Sequence, residues 1–146
     1  MIVVDTNIIG YLFLSSEQSH LAERALRKDS EWAAPVLWRS ELRNVLALYM
    51  RKNLIKLVHA QHIVDDALEL LRGREYEVSS YEVLRLSSES KCSAYDCEFI
   101  AAASDLKVPL ITVDKQLLRE FPAVAVSLTK FCGQSQVKKP ENQPVG

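Results

Sequence analysis

Short, mostly apolar, strand-like runs alternate along this chain with longer segments in which apolar residues recur every three or four positions. The runs are Ile2 to Val4, Trp32 to Ala34, Tyr76 to Val78, Leu110 to Val113 and Ala123 to Val126, each the length of a strand buried on both faces. Between them the spacing predicts helices. Over 16–28, Leu21, Ala25 and Leu26 share a face and Ser16 or Ser19 stands where a cap would. Over 35–52, Pro35 occupies the first turn and Trp38, Leu42, Val45, Leu46 and Tyr49 form the apolar stripe. Further helices are predicted over 59–71, closed by Gly73, and over 81–86 and 94–106. Strands joined by helical crossovers make an α/β fold with a central, mostly parallel sheet covered on both faces.

A chain of 146 residues buries enough surface for one core and one domain. The patterned part spans 1–132. From Gly133 onward the residues are polar and proline-bearing, so a flexible polar tail is expected over 133–146. No segment is apolar for long enough to span a bilayer. The opening residues reach Asp5 too early for a secretory leader, so a cytoplasmic protein is expected. Cys92, Cys97 and Cys132 lack disulfide or zinc spacing and are expected to be inert thiols. A net charge of -1 gives no bulk positive field to attract nucleic acid. The four glycines form no phosphate-binding loop, which argues against an ATP or dinucleotide site.

Chemistry concentrates in four acids. Asp5 and Asp114 each follow a predicted buried strand, at the end of a parallel sheet where ligands bind. Each is equally well placed to cap a following helix. Asp96 closes Ser93-Ala94-Tyr95-Asp96, a capping-box pattern, and Phe99, Ile100 and Ala103 turn its side of the helix toward the core. Glu41 lies beside the stripe of Leu37, Trp38 and Val45, a position that a solvated glutamate avoids. Gaps of 36, 55 and 18 residues mean that only folding can assemble the four. Like charges so gathered raise one another's pKa unless a hard cation neutralises them, and an all-oxygen donor set selects magnesium or manganese over zinc. Such a site suits phosphate chemistry. His59, His62 and Asp66, and the basic groups Arg24, Arg27, Lys28, Arg39 and Arg43, read as solvated helix faces, with some of the basic side chains available to a phosphate backbone.

Four segments in order resemble the PIN-domain ribonucleases, and most closely the VapC-type toxins of toxin-antitoxin pairs. They are Val3-Val4-Asp5-Thr6-Asn7, Ser40-Glu41-Leu42 with Val45-Leu46, Tyr95-Asp96 with Ile100 to Ala103, and Thr112-Val113-Asp114 with Phe121 downstream. The resemblance covers about 1–132. It implies a three-layer fold with about five strands, Mg2+ or Mn2+ held by Asp5, Glu41, Asp96 and Asp114, and Asn7 and Thr112 in support. It further implies metal-dependent endoribonuclease activity, with the ion polarising a phosphate oxygen and acidifying water. A homodimer and a cognate antitoxin protein are the partners it implies, with no membrane. Some members carry a fifth acid two residues after the fourth, where this chain has Gln116.

Two other readings remain at this level. An aspartyl phosphotransferase built on Asp5 usually has a second acid where Asn7 stands. A non-catalytic, magnesium-binding, receiver-like scaffold needs an acceptor aspartate after a middle strand, where Val78-Ser79-Ser80 offers none.

Overall fold

A computed structural model describes residues 1–133. The elements run β1 (Ile2–Val4), α1 (Thr6–Phe13), α2 (Ser19–Lys28), β2 (Trp32–Pro35), α3 (Trp38–Arg51), α4 (Leu57–Leu70), β3 (Glu75–Tyr76), α5 (Ser80–Ser88), α6 (Ala94–Leu106), β4 (Leu110–Thr112), α7 (Lys115–Glu120), β5 (Ala125–Ser127) and α8 (Leu128–Gly133). The five strands form one sheet in the order β3-β2-β1-β4-β5, and every pairing is parallel. All residues of β1, β2 and β4 are buried, as a parallel sheet flanked by helices requires. Helix α6 packs on β1, β2 and β4 and carries α5, while α8 packs on β4, β5 and α2. The tail expected over 133–146 lies, apart from Gly133, outside the described residues. Among the described residues no helix is long and apolar enough to cross a membrane.

Several boundaries differ from those the sequence predicts. Pro35 ends β2 instead of opening α3, which starts at Trp38. The sheet tolerates it because Ala34 and Val36 donate to Arg74 and Tyr76 of the edge segment, and the missing N–H falls between them. Neither Ser16 nor Ser19 caps α2, whose N-cap is Gln18. Their hydroxyls instead hold the preceding turn, Ser16 Oγ accepting from Gln18 N and Ser19 Oγ donating to the Leu14 carbonyl. Helix α4 begins two residues earlier than predicted, and Gly73, at φ 79, makes the left-handed turn beyond its end. Helix α1 was foreshadowed only by the capping potential of Asp5. Its buried Thr6, Ile8, Ile9 and Gly10 form nearly a continuous run, without the spacing that marks a surface helix.

The sheet order fixes the position of any ligand crevice. From β1 the chain builds outward through β2 and β3, then returns to add β4 and β5 on the other side of β1. Crossovers on the two sides diverge at the carboxyl ends of β1 and β4, opening a crevice there. Asp5 and Asp114 follow these two strands.

Candidate active site

A cleft of about 390 Å³ opens at that point, and Asp5, Glu41, Asp96 and Asp114 all line it. Asn7 lines it too, while Thr112 is fully buried outside the lining and reaches the site through its bonds to Asp5 and Asp114. Each acid arrives by a separate route. Asp5 caps α1, its Oδ1 accepting from Thr6 N at 2.8 Å, while its Oδ2 accepts from the Thr112 hydroxyl at 2.7 Å. The same Thr112 oxygen accepts from Asp114 N at 3.0 Å, so one buried hydroxyl ties the ends of β1 and β4 together. Asp114 caps α7, its Oδ1 accepting from Leu117 N at 3.0 Å. Asp96 lies in the first turn of α6, whose cap is Ser93, the serine oxygen accepting from Asp96 N at 3.1 Å. Glu41 reaches in from the first turn of α3 and accepts from the Thr6 hydroxyl at 2.6 Å.

Capping and membership of the acidic cluster are therefore compatible roles. A carboxylate has about four lone-pair sites, and a cap uses only one of them.

Crowding shows in the electrostatics. Burial pushes the Asp5 carboxyl up to about 6, and the charges of Glu41 and Asp96 push the same way against the hydrogen bonds from Thr112 and Thr6. Glu41 is raised chiefly by burial, then by Asp96 and Glu98, with the Thr6 hydroxyl opposing. Asp96 is raised by burial and by the charge of Asp114, with Ser93 opposing. No lysine or arginine lines the cleft among the described residues, and threonine hydroxyls and backbone amides supply the compensation. Among the described residues, no three acid, histidine or cysteine side chains stand close enough to form a finished ion cage.

Other candidates fall away. His59, His62 and Asp66 are exposed on α4 and join no metal-binding group among the described residues. Arg39 forms a two-point ion pair with Glu75, at 2.6 Å in each bond, and Arg24 and Lys28 donate to the Cys132 and Phe131 carbonyls at the end of α8. Cys92, Cys97 and Cys132 are buried thiols. A second groove of about 420 Å³, between β3, α5 and α6, contains Glu77 and Glu98 but none of the four acids. Thr6, which holds Glu41, went unsuspected at the sequence level; its signal was its place directly after Asp5, where a threonine opening a helix has its hydroxyl available.

The PIN domain family profile matches residues 2–123. The chain belongs to the PIN domain family. Ribonuclease VapC3 of Pyrobaculum aerophilum is 30% identical over 128 residues, which is 84% of this chain and 96% of that relative. A crystal structure of another Pyrobaculum aerophilum protein superposes with a TM-score of 0.73 at 20% identity, covering 94% of this PIN domain chain and 97% of its own. A toxin-antitoxin complex from Klebsiella pneumoniae contains a chain with a TM-score of 0.66 at 20% identity, covering 88% and 98% respectively. These structures share the fold of this chain, an α/β fold as expected from the order of elements, whose sheet, expected to be mostly parallel, is parallel at every pairing.

Proposed function

We propose that this PIN domain is a metal-dependent endoribonuclease that hydrolyses RNA phosphodiester bonds, and the toxin of a toxin-antitoxin pair. The observation that carries the reading is the convergence of Asp5, Glu41, Asp96 and Asp114 on one cleft, with no lysine or arginine among the described residues that line it. The similarity to a protein named as a ribonuclease and the fold shared with a chain of a toxin-antitoxin complex support it.

The donor set fits a hard divalent cation in its chemistry: carboxylate oxygens only, partly buried and mutually repulsive. Mg2+ or Mn2+ is the ion this set selects, with Asp5, Asp96, Asp114 and Glu41 as its holders. When bound, it supplies Lewis acidity at the scissile phosphate and makes water a competent nucleophile near neutral pH. The protein's own part is positional. Thr112 and the Thr6 amide fix both oxygens of Asp5, the Thr6 hydroxyl fixes Glu41, and the cap bond holds Asp114, so the acids meet the substrate with little reorganisation. Asn7 lines the same wall as a polar support. The antitoxin is assigned as a second protein that covers this cleft.

The test is direct. Purified protein degrades total RNA with MnCl2 or MgCl2 and stops in EDTA. Asp5→Asn and Asp96→Asn are inactive while circular dichroism stays that of the parent chain. Full activity in either variant, or cleavage undiminished by chelator, removes the reading.

A further inference from the structure

An RNA strand entering the cleft meets four acids and, among the described residues that line it, no cationic side chain. Its phosphates gain nothing from the cleft walls themselves, so selection of the nucleotide inside the cleft falls to uncharged contacts. Among the described residues three uncharged polar side chains line the cleft without a hydrogen-bonded partner, Asn7, Asn44 and Tyr95, of which Asn7 stands directly beside Asp5 and Thr6. Tyr95, directly before Asp96 in the first turn of α6, is 64% exposed, and its hydroxyl makes no hydrogen bond with any described residue. The residues before it, Ser93 and Ala94, are small and exposed. Asn44 lies one turn beyond Glu41 on α3, is exposed and likewise has no hydrogen-bonded partner among the described residues. An uncovered aromatic face and an unengaged amide beside one phosphate-cleaving centre match the chemistry of a nucleobase. Single-stranded RNA is read by stacking on aromatic rings and by hydrogen bonds to base edges.

We propose that Tyr95 and Asn44 form a nucleobase subsite, in which the base next to the scissile phosphate stacks on the Tyr95 ring and presents its edge to the Asn44 amide. The subsite rests on the ribonuclease reading and adds to it what selects the nucleotide. Isolated exposed aromatics are ordinary on protein surfaces, and Tyr81 provides the internal comparison. It is 71% exposed on α5 and lies outside the cleft lining.

The experiment uses the full chain with MnCl2 and a short oligoribonucleotide carrying a cleavage site mapped on total RNA. The same oligomer is also made with an abasic ribose on either side of the cut. Tyr95→Ala is expected to lower kcat/KM about 5- to 150-fold on the intact oligomer, the range for loss of one stacked base. Tyr95→Trp and Tyr95→Phe retain activity, Tyr81→Ala is unchanged, and Asn44→Ala flattens the preference among the four bases at that position. On the abasic oligomer lacking the stacked base, wild type and Tyr95→Ala become equal, while Mn2+ affinity by calorimetry is the same in both. An equal loss on intact and abasic substrates, or no loss on either, overturns the subsite while leaving the nuclease intact. A wild-type chain that cleaves no RNA with metal overturns the nuclease and the subsite together.

Discussion

Asp5 is where the cleft stores most of its electrostatic strain. Its carboxyl keeps its proton up to about pH 6 in the folded chain, against an ordinary aspartate value of 3.8. Between those values the native state binds more protons than the unfolded one, so stability falls as pH rises through the window and stays lower above it. The shift corresponds to about 2–3 kcal/mol of destabilisation at neutral pH without metal. An asparagine retains an acceptor for Thr6 N and can donate to the Thr112 oxygen, and it has no charge to bury. In EDTA at pH 7.5, Asp5→Asn is therefore expected to melt higher than wild type by roughly 3–8 °C. The difference between the two, followed by urea unfolding, should vanish near pH 4 and be fully developed by pH 7. Added MnCl2 should raise the wild-type melting temperature and leave the inactive variant almost unmoved. A variant that melts lower than its parent in EDTA, or that gains as much from Mn2+, contradicts this account. The four acids were legible in the sequence because acidic residues beside apolar stripes or at buried strand ends are anomalous. Thr6, Tyr95 and Asn44 were not, since a neutral polar or aromatic residue in those settings has many ordinary explanations.

At the scale of elements, the site is built from helix starts. Helices α1 and α7 begin on site carboxylates, and α6 begins on Ser93, which bonds the Asp96 amide. Helix α7 is six residues long, so its cap is a large part of what holds it. Asp114→Ala and Asp114→Ser remove the same charge from the cleft, and only the serine keeps an oxygen for Leu117 N. The alanine variant is expected to be less stable than the serine variant by about 1 kcal/mol in chemical denaturation, with both inactive on RNA. Equal stabilities would mean that the cap carries no weight. The same dual use explains the limits of the sequence reading. The strands could be read over Ile2 to Val4 and Leu110 to Val113, the second one residue longer than β4, because burial on both faces leaves Thr112 as the sole polar residue in them. The long helices could be read because Trp38, Leu42 and Leu46 recur on one buried face. Pro35 misled because its helix-starting habit is local, whereas its place in β2 is decided by which backbone donors face β3.

Over the whole molecule, the balance of charge decides how RNA is held. Net charge is -1, and much of the positive complement is already committed. Arg39 is paired with Glu75, Arg85 with Glu82 and Glu89, and Arg72 with Glu69, while Arg74, Arg24 and Lys28 bond backbone carbonyls. Among the described residues, two exposed cations directly adjoin cleft-lining side chains and can meet a phosphate. Lys115 follows Asp114 directly, and Arg43 bonds the hydroxyl of the cleft-lining Ser40 at 3.1 Å. Counterion release scales with the number of phosphates neutralised, at a slope of about -0.7 per contact for single strands. Two contacts give a slope of about -1.4 for log affinity against log salt, measured with the wild-type chain at fixed Mn2+ and a labelled oligoribonucleotide whose scissile linkage is a non-hydrolysable methylene analogue. Lys115→Ala is expected to bring that slope to about -0.7, weakening all sequences alike, because a phosphate contact carries no base information. A slope several times steeper would place the RNA on a basic surface away from this crevice. The shallow slope instead makes recognition depend on the ion and on uncharged contacts, so affinity should fall far more on adding EDTA than on doubling the salt.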